Sequence, residues 1–195
     1  MTISTGLRER KKAETRRAVH RAALSLVAEH GFDCVTVEAI ADVANISRRT
    51  FFNYFADKAD AVMYGEEERF RRLTAAVRAR PAGETGWRAL RESTVELFDE
   101  LGEPDREWVL RSRLSRSHPS LLARRIAAMG PMERNMAQAI AERDDDPGLR
   151  PRVLAAAYFS AVRVANLVWL EEGESRSLKD LTLAAIDELD RPSPV

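Results

Sequence analysis

The chain has 195 residues, 45% hydrophobic and 32% charged, and its 31 Lys or Arg are balanced by 31 Asp or Glu. That is ordinary for a globular protein, with length for one large domain or for a small head and a larger body. The single cysteine, Cys34, excludes an internal disulfide and any CxxC metal site, and is expected as a small buried side chain.

The zero net charge conceals a polarity. Residues 1–56 hold nine Lys or Arg against six Asp or Glu, and the first 21 carry Arg8, Arg10, Lys11, Lys12, Arg16, Arg17 and Arg21 against only Glu9 and Glu14. A basic front end suits an anionic partner. The longest apolar stretch, Val153 to Leu170, is interrupted by Ser160, Arg163 and Asn166, and the first residues contain no apolar signal core. No membrane association is expected, and a cytoplasmic location is. Catalysis is not expected either: His20, His30 and His118 are scattered, and no GxGxxG, GxxxxGKS or HExxH occurs. Neither a metal nor a cofactor is called for.

Taken in chain order, every periodic segment is helical, so the expected fold class is all-α. Val19, Ala22, Ala23, Leu26 and Val27 recur at three- and four-residue spacing, with His30 at the helix end and Gly31 where a left-handed cap is wanted. A short helix follows Thr36, a plausible N-cap, with Val37, Ile40, Ala41 and Ala44 on one face. Asn45 tolerates positive φ, so the chain can turn there before Ser47 caps a third helix. Two short helices joined by such a turn form a helix-turn-helix, whose second helix presents its outer face to the DNA major groove. In SRRTFFNYFADK, residues 47–58, Phe51, Phe52 and Phe55 are expected to anchor the helix inward. Ser47, Arg48, Arg49, Thr50, Asn53 and Tyr54 remain for base edges and phosphates, with Thr36 and the basic Arg10 and Lys11 beside them. Asp57, with Asp60 in the capping-box position, should start a fourth helix. Lys58 then lies against the macrodipole, and a DNA phosphate is the expected compensating partner.

The run TVEAIADVANISRRTFFNYFADKADAV, with the basic helix before it, resembles the DNA-binding domain of the tetracycline-repressor (TetR) family of bacterial regulators. Thr36, Ile40, Ala41, Ala44, Ile46, Ser47, Thr50, Phe52, Tyr54, Phe55 and Lys58 carry the likeness, over about residues 10 to 63. Asn45 departs from the family's usual Gly, and Phe52 from a frequent phosphate-contacting Tyr. The resemblance implies residues 1–57 as an N-terminal three-helix helix-turn-helix domain and 58–195 as a C-terminal helical ligand-binding and dimerisation domain. It implies a homodimer on a near-palindromic double-stranded operator, repressing until a small-molecule effector binds. An activator with the same DNA-binding mode, or a helical protein–protein adaptor, is the alternative.

Beyond the head, one helix is expected from Lys58 towards Arg80, ended by PAGETG at 81–86. Further helices follow around Trp87–Leu101, Arg106–His118 and Leu121–Arg143, the last bent or split by Pro131. Phe98, Trp108 and Arg111 are pocket candidates by helix position, and Met129, Met132 and Met136, beside the Pro131 break, are soft side chains suited to an adaptable pocket or to a Met-rich core. The segment Val153–Leu170 is apolar nearly all round and demands burial on two sides. With Ser177–Asp190 it is expected to form a four-helix dimer bundle through Val164, Trp169, Leu178, Leu181, Ala185 and Leu189. Arg163 and Asn166, on the same helix, are expected to be buried and to meet a carboxylate, a carbonyl or the acidic group of an effector.

Overall fold

The computed structural model describes residues 3–190, with side chains from residue 8 onward. Among these residues all regular structure is helical: α1 (Ile3–His30), α2 (Val37–Val43), α3 (Arg48–Phe52), α4 (Lys58–Met63), α5 (Glu66–Ala79), α6 (Gly86–Leu101), α7 (Arg106–Ser117), α8 (Pro119–Asp144), α9 (Arg150–Glu171) and α10 (Leu178–Glu188). The chain divides into two compact units, one of residues 1–66 and 105–127, the other of 67–104 and 128–195. The first unit runs through Glu66 and takes in α7 with the start of α8.

In the first unit α1 packs on α2, α4 and α7. Val19, Ala23, Val27, Ile40, Phe51, Phe55, Val62 and Leu121 form its core, each nearly or wholly excluded from solvent. Capping sets the short helices. Thr36 accepts the Ala39 N–H at 3.1 Å, Ser47 that of Thr50 at 3.0 Å, and Asp57 that of Asp60 at 2.8 Å. The Asp60 carboxylate takes the Ala56 N–H at 3.0 Å, one residue before the cap it was expected to serve. The α2–α3 turn is a Schellman closure, with Asn45 N–H bonded to the Asp42 carbonyl and Ile46 N–H to that of Ala41. Asn45 occupies the left-handed position at φ 52°, so it can stand where a glycine is common.

The helix expected from Lys58 to Arg80 is two helices. Tyr64, at ψ 143°, and Gly65, at φ 99°, break it. Pro131, conversely, neither ends nor divides α8. Its missing N–H removes one helical bond, and Met136, Ala139 and Ile140 in the next turns are fully buried. Cys34 is exposed in the α1–α2 loop, contrary to the expected burial.

In the second unit α10 packs against α9 and α6. Its core contains Leu73, Val77, Leu90, Met136, Ile140, Tyr158, Phe159 and Ile186. Thr94 is a buried polar member, its hydroxyl lying 2.8 Å from the Leu90 carbonyl and 3.1 Å from the Tyr158 hydroxyl. Burial pushes the Tyr158 phenol up to about 12.

Candidate nucleic-acid interface

Helix α3 is two-faced. Phe51 and Phe55 are buried under it, whereas Arg48, Arg49, Phe52 and Asn53 are exposed. Phe52 therefore corrects the expectation that all three rings anchor the helix. A residue one position after the fully buried Phe51 is rotated about 100° around the axis, which carries it off the core face. Its ring meets Phe51 edge to face, and the Arg48 guanidinium lies over it at 5.5 Å. Arg48 also pairs with Glu38 on α2 at 3.0 Å, a contact that the spacing of α3 alone does not reveal.

Thr50 is half-buried, its hydroxyl 2.8 Å from that of Ser47, so these two fix the start of α3 as well as flanking its outer face. Tyr54 is half-buried too, packed against the core, with the Arg16 guanidinium 5.5 Å above its ring. Thr36 is exposed and caps α2. Arg10 and Lys11 are exposed on α1, Arg10 loosely paired with Glu14 at 3.7 Å.

Among the DNA candidates, Lys58 has its ammonium engaged within the protein. Its ammonium donates to the carbonyls of Phe32 at 2.7 Å and Val35 at 3.0 Å, and lies 4.5 Å from the centre of the Phe32 ring. The compensation expected from a phosphate is supplied by the α1–α2 loop. Alongside it, Arg124 at the start of α8 pairs with Asp60 at 2.7 Å and Asp57 at 3.3 Å. His20, buried between α1 and α4, directs Nδ1–H to the Ala61 carbonyl at 2.8 Å. Burial pushes its pKa down, against the opposing pull of that hydrogen bond.

The ligand candidates fall in both units. Trp108 and Arg111 belong to the first unit, where the Arg111 guanidinium reaches the Tyr64 carbonyl at 3.4 Å and burial lowers its pKa. In the second unit Met136 is wholly within the core, Met129 packs against that core, and Phe98 is covered by Arg69 at 5.0 Å. Arg163 is exposed, so the buried charge expected there does not exist. Asn166 is buried; its amide donates to Val162 at 2.8 Å and its Oδ1 has no hydrogen-bond partner. Two clefts were missed by helix position alone. One, of about 420 Å³ between α5 and α8, is lined by Phe70, Arg71, Thr74, Arg78, Met132 and Asn135, among others. The other, of about 450 Å³, lies between the second half of α8 and the start of α9, around Arg134, Gln138 and Arg152.

Of the seam candidates, Trp169 is 4% exposed and its indole N–H bonds to the Arg176 carbonyl at 2.8 Å, so it is a core residue of its own chain. Leu178 and Leu181 are likewise buried and Ala185 half-buried, whereas Val164 and Leu189 are 44% and 47% exposed. Val153, also on α9, is 54% exposed.

Comparison with known proteins agrees with this geometry. The family model for the N-terminal domain of bacterial tetR-family regulatory proteins matches residues 20–61, and that of the MftR C-terminal domain matches 84–194. The HTH-type transcriptional regulator TcmR of Streptomyces glaucescens is 31% identical over 198 aligned positions, covering 97% of this chain and 87% of that protein. Among solved structures, Thermus thermophilus FadR in complex with lauroyl-CoA superposes with a TM-score of 0.63 at 22% identity, over 92% of this chain and 98% of that one. The SmeT–triclosan complex superposes at 0.65 and 20% identity, over 90% and 89%. Helices α2 and α3 with their Schellman turn, the polar outer face of α3 and these matches over nearly the whole length lead to one conclusion: the chain is a TetR-family transcriptional regulator, not an enzyme.

Proposed function

We propose that this regulator is a homodimeric, ligand-released repressor that binds a near-palindromic operator through α3. The observation that carries the reading is the division of α3, with Phe51 and Phe55 locked in the core and Arg48, Arg49 and Asn53 turned to solvent. These are the side chains that bond guanine and adenine edges. One five-residue helix reads only a few base pairs, so two copies are needed for a useful site, about 34 to 36 Å apart unless the DNA bends. Val153 and Val164 on α9 and Leu189 just after α10 are exposed apolar side chains that a second copy would cover.

The α5–α8 cleft is the effector site we favour. Its volume of about 420 Å³ suits a small molecule, and its lining joins apolar Phe70 and Met132 to polar Thr74 and Asn135. Lauroyl-CoA and triclosan, bound by the two structural relatives, show the range of size to be screened. A hundredfold release needs about 2.7 kcal/mol of difference in effector affinity between the DNA-competent and incompetent states.

The test is titration of a labelled site, selected by the protein from random duplexes, with wild type, Arg49→Ala and Val164→Glu. Arg49→Ala is expected to relax preference at one position in each half-site, and Val164→Glu to give a monomer that fails on the full site. A dimeric Val164→Glu protein with native affinity overturns the seam. Unchanged base preference in Arg49→Ala and in Arg48→Ala overturns the role of α3.

A further inference from the structure

We infer that the cleft between the second half of α8 and the start of α9 is a binding site for a small organic carboxylate with an apolar body, separate from the α5–α8 cleft and open to a ligand whatever the latter holds.

Three observations carry it. The cleft measures about 450 Å³, within the range of about 300 to 1,000 Å³ usual for small-molecule sites. Its lining includes an apolar strip of Ala137, 8% exposed, Ala141 and the buried Pro151. Secondly, two cations stand in its walls, Arg134 from α8 and Arg152 from α9, and among the described residues neither guanidinium has an ion pair or a hydrogen bond. Arg78, Arg80 and Arg91 in the same unit each meet a carboxylate. The acidic side chains near the cleft in sequence are already engaged. Glu142 accepts from Arg78 at 2.8 Å and from Gln138 at 2.9 Å, Asp144 from the Gly86 N–H at 2.6 Å, and Asp146 from the Gly148 N–H at 2.8 Å. Two guanidiniums less the one carboxylate of the lining, Glu133, leave the cleft at +1. That charge matches a monoanion, and the planar fork of a guanidinium matches the two oxygens of a carboxylate. Thirdly, the site is distinct. At about 100° per residue, Ala128, Met132 and Asn135 of the α5–α8 cleft fall on one side of α8 and Arg134, Ala137 and Ala141 on the other, so the helix stands between the two occupants.

The experiment titrates 2-naphthoate into the full chain by calorimetry. Two partial probes accompany it: 2-naphthamide, which keeps the rings without the charge, and inorganic phosphate, which keeps a charge without the rings. One naphthoate per chain should bind with a Kd below about 1 mM, and each partial probe about tenfold or more weaker, measured by competition. Arg134→Gln and Arg152→Gln should each weaken naphthoate about tenfold and leave naphthamide unchanged; both side chains are exposed, so neither change disturbs the core. Asn135→Trp, which obstructs the α5–α8 cleft from an exposed position, should leave naphthoate binding intact. Naphthamide or phosphate bound as tightly as naphthoate, or an affinity unchanged in both arginine variants, overturns the inference. So does the absence of any binding, the result expected if a second copy of the chain fills the cleft. A loss in Asn135→Trp overturns it too, by moving the anion to the α5–α8 cleft. None of these results bears on the DNA-binding reading, which is decided by the duplex titrations above.

Discussion

Lys58→Met separates two accounts of the same lysine. The substitution keeps most of the aliphatic stem over the Phe32 ring but removes the ammonium that donates to Phe32 at 2.7 Å and Val35 at 3.0 Å. A hydrogen bond to a charged donor is worth about 1.5 to 3 kcal/mol when well shielded. Lys58 is half-exposed and its acceptors sit in a surface loop, so water replaces part of each bond, and a total of about 2 kcal/mol is the reasonable expectation. In a protein of this size that corresponds to a fall in Tm of about 4 to 8 °C. Two measurements are needed: a thermal melt and a salt titration of operator affinity. The structure predicts a clear loss in the first and, in the second, a dependence on log salt as steep as that of wild type. If Lys58 moves to a phosphate in the complex, the melt falls as before but the slope also falls by about one. That result would show the loop carbonyls to be a resting place for a DNA contact.

Three further outcomes follow from named contacts. The pKa of His20 is held below its unfolded value by burial, so the unfolded chain takes up a proton before the folded one does. Stability is therefore complete above the unfolded pKa of about 6.5 and declines as the pH falls below it. Urea midpoints of wild type and His20→Asn at pH 7.5 and 5.5 should show a smaller acid loss in the variant; parallel losses would remove His20 as the cause. Asn45→Ala should cost about 1 kcal/mol by urea denaturation, because φ 52° is unfavourable for alanine, while Asn45→Gly should be neutral or slightly stabilising. Equal midpoints for the two variants would argue against the left-handed turn. Gly86→Ala would bring a Cβ to 2.7 Å from Ile140 Cγ2 and 3.1 Å from its Cα, so it should destabilise by about 1 to 3 kcal/mol; a midpoint equal to wild type would mean that α6 and α8 do not meet this closely at Gly86.

The head was legible because its information is local. Caps at Thr36, Ser47 and Asp57, and a left-handed Asn45 between two short helices, are decided within four or five residues, and each was found where the sequence put it. Contacts between residues distant in the chain are not legible in this way. The acceptors of the Lys58 ammonium are 23 and 26 residues upstream, beyond any local pattern. Arg163 and Trp169 were placed by helical periodicity, which gives a direction around an axis but not the identity of what lies there; Arg163 faces solvent, and Trp169 closes onto Arg176 seven residues on. The division at Tyr64–Gly65 shows a third limit. A glycine within an amphipathic run is compatible with a continuous helix, and only the packing on each side decides whether it bends, breaks or does neither. Pro131, the stronger breaker by propensity, leaves α8 continuous, while Gly65 ends one helix and begins another. Phe52 shows the same limit on the interface itself. Three phenylalanines at i, i+1 and i+4 cannot share one helical face with equal burial, and the middle one, displaced by a third of a turn, becomes the apolar point on a polar reading surface.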